Sequence, residues 1–361
     1  MTRLFPSACV AALAVSLSLP ACSQMITSAN GKTVYDAELT ETISEAVKPV
    51  VAPQTTSILV MQGDDVLLEM YPGKGAPDLL NNTRSATKTV VAMAVGAAIE
   101  DGYFKSVDDK VWPLLADKAL EGAGDELTHD MTLRDLMTMS SALHCDDSEN
   151  TPGNENYMHE QEEWLPWALS LPSSPGWSRD ESGLGPWRYC TVGSFLVGQA
   201  IEAASGMKVD EYVQQRIFEP LSIENYEWFY SPSGEVQTGG GLELTARDLA
   251  KLGKLLTDGG TWKGEQVLPA KWVEEMMTVH RRRSDGKGYG YLIWQQEHET
   301  SCGPVNAWFM SGNGGNRVLS LRPLDAVVVL TRQAYNTPNM HQQSNDLLND
   351  YILPPLACED N

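Results

Sequence analysis

This chain of 361 residues has no CxxC pair, no HExxH spacing and only six histidines. Neither a thiolate zinc cluster nor a paired-histidine metal site is therefore written in it. It also has no GxSxG elbow, and none of its histidines stands in a recognisable triad context, which removes the usual signature of a Ser-His-Asp hydrolase. Positive charge is scarce: 26 Lys and Arg face 48 Asp and Glu, for a formal net charge of −22 and a pI near 4.6. That balance excludes nucleic acid as a natural partner and implies a self-repelling surface. The one basic run, Arg281-Arg282-Arg283, is short and reads as a solvated loop. Internal repeats and low-complexity tracts are absent, and a hydrophobic content of 42% excludes disorder.

The N-terminus has the pattern of an export signal. Arg3 forms a basic n-region, Ala8 to Leu19 an apolar h-region too short to span a bilayer, and Leu19-Pro20-Ala21-Cys22 a small-residue exit. Cys22 is accordingly the candidate lipidation site, with residues 1–21 as signal peptide and 22–50 as anchor and linker. The expected location is the periplasm or an outer-membrane anchor, or secretion if Cys22 stays unmodified. With Cys9 removed and Cys22 assigned to the anchor, Cys145, Cys190, Cys302 and Cys358 remain. An even number in an exported chain points to disulfides, and three connectivities are open. Cys145 with Cys190 is the preferred pair, because it braces Tyr189 from the side.

Against these absences, one motif stands out. Ser85-Ala86-Thr87-Lys88 lies where the polar run Asn81-Asn82-Thr83-Arg84 gives way to an apolar helix. A serine hydroxyl needs a neighbour to take its proton, and residues i and i+3 share a helix face. Desolvation of the lysine suits it to that task, and unpaired N–H groups at the helix start, that of Ser85 included, point at a developing oxyanion. Ser-x-x-Lys occurs three times in the chain, and context separates the copies. Ser205-x-x-Lys208 falls where a helical pattern ends at Gly206, and Ser284-x-x-Lys287 falls in a polar loop. Only Ser85 is followed by a buried-type helix, Val90 to Ile99. The bland alternative is an N-cap serine with a solvated lysine one turn on.

Two further segments complete a candidate site. Tyr189, in Trp187-Arg188-Tyr189-Cys190-Thr191, precedes the apolar helix Phe195 to Ile201 and is the candidate proton relay; alone it reads rather as an ordinary core tyrosine. Ser311-Gly312-Asn313-Gly314-Gly315-Asn316 lies between two late strands, where glycines admit a substrate backbone and the N–H of Asn316 is expected to join that of Ser85 as an oxyanion hole. As a bland segment it is a hairpin turn. Elsewhere the pattern predicts a hairpin of Ser57 to Val60 and Val66 to Met70, then mostly helix over 105–280. The helical stretch is interrupted by a long polar excursion from Asp146 to Trp187. Strands follow at Tyr289 to Trp294, Ala307 to Met310, Val318 to Leu321 and Ala326 to Thr331, and a closing helix at Met340 to Tyr351. Strands at both ends with helices between them suggest one sheet built from the two termini.

Taken in order, Ser85-x-x-Lys88, Tyr189-Cys190-Thr191 and the glycine-rich strand end resemble the superfamily of class C β-lactamases, penicillin-binding proteins and 6-aminohexanoate-dimer hydrolases. Leu133 to Ser141, Gly239 to Leu252 and Tyr289 to Trp294 are similar to its connecting segments, so the resemblance covers roughly 50–340. It implies an α+β fold of the β-lactamase/transpeptidase type: an antiparallel sheet flanked by helices (about 51–104 and 285–361) and an all-helical subdomain (about 105–284). It also implies acylation of Ser85 and hydrolysis of the acyl-enzyme by water, with no metal or cofactor. Two positions depart from the family pattern. Thr191 stands where many members place an asparagine against the substrate amide, and Asn313, before Gly314-Gly315, stands where they carry Lys or His. Without that cation an ester or a small linear amide is the better expected substrate, with penicillins and D-Ala-D-Ala peptides as the alternative; Arg317 and Arg332 are the nearby arginines that are candidates to replace the charge. Trp164, Trp167, Trp177 and Trp187 are candidate walls of an apolar acyl pocket or scattered core anchors. From another class, the chain reads as a catalytically silent lipoprotein that binds a ligand with the same fold.

Overall fold

The computed structural model describes residues 35–48 and 51–358. The expected signal peptide, Cys22 and most of the linker lie outside them. Thirteen strands occur among the described residues. Eight of them, β1 (Thr55–Gln62), β2 (Asp65–Met70), β8 (Arg281–Arg282), β9 (Gly288–Tyr289), β10 (Trp294–Thr300), β11 (Gly303–Gly312), β12 (Asn316–Leu321) and β13 (Ala326–Arg332), form one antiparallel sheet in the order β2-β1-β13-β12-β11-β10-β9-β8. β3 (Asn81–Asn82), β4 (Tyr226–Glu227) and β5 (Glu243–Leu244) make a small second sheet, and β6 (Thr261–Trp262) with β7 (Glu265–Gln266) a lone hairpin. The two termini therefore do share one sheet, and the segment between them is helix-rich but also contains these short strands.

The almost unbroken apolar run of β13 is explained by cover on both faces. Alternate residues of a strand point to opposite sides. Val327 and Val329 enter a core shared with helix Thr87–Glu100, while Val328 and Leu330 enter a second core. Helix Ala37–Ala46 and the C-terminal helical run from Met340 to Cys358 close that second core. Helix Thr87–Glu100 is buried on every side from Thr87 to Ala98. An all-round apolar helix can only be stable in such a position, sandwiched between the sheet and the helical part. The indole of Trp272 seats directly on it at Gly96, donating to Ala92 O at 3.1 Å; a Cβ at Gly96 would overlap that ring.

Some expected boundaries shift. Tyr289 to Trp294 is not one strand: the chain turns between β9 and β10, with Gly290 N donating to Ile293 O and Leu292 at φ +52°. The Arg281–Arg283 run begins as the edge strand β8 and not as a loop. The excursion from Asp146 to Trp187 contains two short helices, Glu155–His159 and Trp164–Leu169. Trp164 and Trp177 are core anchors, the latter donating to Ser140 O at 3.2 Å.

Cys145 and Cys190 are joined, with Cα atoms 5.4 Å apart, and Cys302 pairs with Cys358. The first bridge closes the excursion at its two ends, beside Tyr189. Replacing both its cysteines by serine is expected to lower the unfolding free energy by about 3–4 kcal/mol. Urea melts under oxidising conditions measure this; an unchanged midpoint would show that the excursion is held without the bridge.

Candidate active site

Ser85 sits in a tight helical turn, Arg84–Ala86, and the α-helix proper begins at Thr87. The turn is tied down on several sides. Thr83 gives both its N–H and its hydroxyl to Leu242 O (3.0 and 2.7 Å), and Thr87 Oγ1 donates to Arg84 O at 2.7 Å while accepting from Leu242 N at 3.1 Å. Arg84 itself is held at φ +52°, its N–H donating to Asn82 Oδ1 at 3.1 Å. A non-glycine residue in that region costs on the order of 1–3 kcal/mol and tends to occur where a site requires it.

One turn on, Lys88 is 1% exposed. Its Nζ donates to Ser85 Oγ at 3.0 Å, to Thr191 Oγ1 at 3.0 Å and to Gly239 O. The same nitrogen lies 5.0 Å from the centre of the Tyr189 ring. Ser85, Lys88, Tyr189 and Thr191 are thus brought together from two helices over a hundred residues apart in sequence. Thr191 fills with a hydroxyl the role of contacting the lysine. Gly239 was visible in the sequence only as part of a connecting segment. Its carbonyl reaches Lys88 because it has no side chain; a Cβ there would run into the methyl and carbonyl of Thr191.

The other two copies of the motif fall away. Ser205 ends helix Thr191–Ser205, with Gly206 in the left-handed conformation at φ +70°. Ser284 and Lys287 flank the exposed turn between β8 and β9.

The glycine-rich segment is corrected in detail. Gly312, at the end of β11, is the residue that meets the Ser85 turn, since a Cβ there would collide with Thr83 O and press on Arg84 Cβ. Asn316 lies opposite it on β12, one strand further away, and its side chain is engaged: Nδ2 donates to Asn313 O at 2.8 Å and Oδ1 accepts from Arg332 N at 2.9 Å. Gly314 and Gly315, both at φ +90°, turn the chain and pack towards Tyr335, Arg332 and Met340. Asn313 braces the hairpin by donating to Asn336 Oδ1 and accepting from Asn336 N. The hairpin-turn reading fits Gly314 and Gly315, whereas the close backbone approach belongs to Gly312. Of the four expected tryptophans, Trp187 contacts the Tyr189 ring, and Trp294, outside that set, stacks on it with centroids 6.0 Å apart.

Sequence reasoning missed Asp147. Its carboxylate accepts from Thr191 N at 2.8 Å and from Glu155 N at 3.1 Å, and its own N–H donates to Tyr189 O at 2.8 Å. It therefore clamps the Tyr189-Thr191 segment. Burial pushes its carboxyl up to about 6, aided by the nearby Glu155 charge and opposed by Lys88 and by the Thr191 hydrogen bond. No sequence signal marks it, because the contact forms only when the excursion folds back.

The comparisons with known proteins agree with this fold. The family model described as Beta-lactamase matches residues 43–348. A 6-aminohexanoate-dimer hydrolase of Paenarthrobacter ureafaciens is 24% identical over 241 residues, 64% of this chain and 59% of that one. A lovastatin esterase of Penicillium rubens is 28% identical over 213 residues, 53% of this chain and 50% of that one. The chain thus spans little more than half the length of these relatives. Among solved structures, a candidate 6-aminohexanoate-dimer hydrolase from Bacillus anthracis superimposes with a TM-score of 0.68 at 17% identity, covering 89% of this chain and 82% of that one. A D-stereospecific amidohydrolase from Streptomyces gives 0.65 at 18% identity, covering 87% and 98%. At these identities the structural matches establish the fold alone.

The raised Asp147 carboxyl makes a stability prediction whose sign is definite. The folded chain holds this proton more tightly than the unfolded one, so stability falls as pH rises from about 4 to 6 and stays lowered above. The shift corresponds to about 3 kcal/mol at neutral pH. Asp147→Asn removes that cost and loses a hydrogen bond of about 1 kcal/mol. The variant is expected to melt higher than the parent at pH 7.5 and to lose that advantage by pH 4.5. Equal destabilisation at both values would contradict the assignment.

Proposed function

Since this chain belongs to the beta-lactamase family, we propose that it is a serine hydrolase cleaving an ester or amide through an acyl-enzyme on Ser85. The observation that carries this reading is the buried Lys88, whose Nζ is shared between Ser85 Oγ, Thr191 Oγ1 and Gly239 O. Attack by Ser85 Oγ forms the bond to the substrate carbonyl carbon, and the hydroxyl proton passes into the Lys88/Tyr189 pair. The pair returns it to the departing alcohol or amine, and water then releases the acid from Ser85 by the reverse sequence.

The N–H of Ser85 serves as one oxyanion donor. We place the second at the Gly312-Asn313 step of β11, because that is where the strand touches the Ser85 turn. Each such donor is typically worth about 2.7–4 kcal/mol in the transition state. The names of the curated relatives, a 6-aminohexanoate-dimer hydrolase and a lovastatin esterase, support an ester or linear amide over a penicillin. We also propose that the mature chain is exported, with Cys22 lipidated; the two disulfides support an oxidising compartment.

Intact-protein mass spectrometry after brief exposure to a short-chain p-nitrophenyl ester and, separately, to a penicillin tests the reading. Turnover or an acyl adduct with the ester is expected for the parent and neither for Ser85→Ala. Activity that survives in Ser85→Ala would overturn it, and turnover with penicillin in place of the ester would move the substrate class to β-lactams. A parent that neither turns over nor is acylated by either reagent would favour the silent binding module.

A further inference from the structure

The strand beside the nucleophile offers a substrate no positive charge. Met310 is buried in the core, the hydroxyl of Ser311 accepts from Arg317 Nη1 at 2.7 Å, and Gly312 has no side chain. The two arginines that the sequence suggested as substitutes do not reach the cleft. Arg317 is buried against Phe309, its Cζ 5.1 Å from the ring centre. Arg332 is 0% exposed and spends its guanidinium on Met340 O, Ser344 Oγ, Pro53 O and Gln343 Oε1. Arg283, stacked against Trp187, is already paired with Asp285 at 3.2 Å.

Arg84 differs from all three. It immediately precedes Ser85, its side chain is exposed, and among the described residues no carboxylate lies within ion-pair distance of it. Its guanidinium carbon stands 4.4 Å from the centre of the Tyr335 ring. That tyrosine is itself anchored by donating to Asn82 O at 3.2 Å. The ring satisfies one face of the cation, whose planar fork matches the geometry of a carboxylate. Glu243, whose charge is felt at Tyr335, is engaged by Asn82 Nδ2 at 3.0 Å. On the helical side of the cleft, burial lowers the affinity of His159 for its proton, and the charges of Arg84 and Lys88 lower it further against the pull of Glu155. Arg84 is therefore an exposed cation beside Ser85, with its backbone held at φ +52° by Asn82.

We propose that Arg84 is the anion-binding residue of this cleft, so that the preferred substrates are esters or amides bearing a free carboxylate close to the scissile bond. This rests on the serine hydrolase reading given above. The charge that relatives carry on the strand is, in this chain, supplied from the turn that carries the nucleophile. Arg84 is a specificity-determining residue, and its effect is expected mainly in KM.

The test compares each of two anionic esters with its neutral methyl ester: mono-p-nitrophenyl adipate for a carboxylate on the acyl side, and 4-acetoxybenzoate for one on the leaving side. Arg84→Asn removes the cation while keeping a residue that tolerates positive φ, and Arg84→Lys keeps a point charge. In at least one pair the parent's preference for the anion, as a ratio of kcat/KM values, is expected to fall about tenfold to a hundredfold in Arg84→Asn, with partial recovery in Arg84→Lys. An unchanged ratio in both pairs overturns the proposal. If the parent cleaves none of the four esters, the hydrolase reading fails first. Calorimetric titration with monomethyl adipate then decides Arg84 by itself: binding that weakens at least tenfold in Arg84→Asn supports it, and equal or absent binding to the parent overturns it.

Discussion

Everything in this cleft is arranged around one nitrogen. Lys88 Nζ is out of contact with water, and an amine in that position is tolerable only if its donors are met. Three oxygens meet them: the Ser85 hydroxyl from the same helix, the Thr191 hydroxyl from a second helix, and the Gly239 carbonyl from a loop. Two of the three acceptors come from segments over a hundred residues away, so the lysine is satisfied only when its own helix, the Thr191 helix and the Gly239 loop have all come together. The same arrangement that removes a buried polar cost also leaves a serine hydroxyl beside a lysine, with a tyrosine ring 5.0 Å away. Folding and the chemistry of the site are in this sense one constraint.

The surrounding residues serve that constraint at a distance. Leu242 and Thr87 fix the turn that presents Ser85. Asp147 and the Cys145–Cys190 bridge hold the Tyr189-Thr191 segment at the start of its helix. Gly239 and Gly312 let two backbones approach where any side chain would force them apart. Local strain at Arg84 and a buried carboxyl at Asp147 both oppose folding, and both lie in contact with this assembly, which is where such costs are tolerated in enzymes.

Much of this was legible in the sequence, for identifiable reasons. Short apolar runs bounded by turn residues gave the β1–β2 hairpin and β11 to β13, and the all-apolar helix after Ser85 separated the buried Ser-x-x-Lys from two copies at a helix end and in a loop. The Cys145–Cys190 pairing followed from position. What stayed hidden depends on how segments meet. The strand expected at Tyr289 to Trp294 breaks at Leu292, because β9 and β10 must pair with each other there. The glycines at 314 and 315 advertised themselves more loudly than Gly312, yet it is Gly312 that touches the Ser85 turn, a fact fixed by sheet register. Asp147, Gly239 and Arg84 carry no local signature, since each acquires its partners from a remote segment.

The central claim is that the buried lysine activates Ser85, and the most direct measurement of it is the rate at which a fluorophosphonate probe phosphonylates the hydroxyl with loss of fluoride, followed by intact mass across pH 5 to 9. With Lys88→Met, a replacement of similar volume that cannot donate or accept the proton, the account predicts a fall in the labelling rate of a hundredfold or more, with the melting curve showing a folded protein. Labelling of Lys88→Met at the parental rate and pH dependence would contradict it.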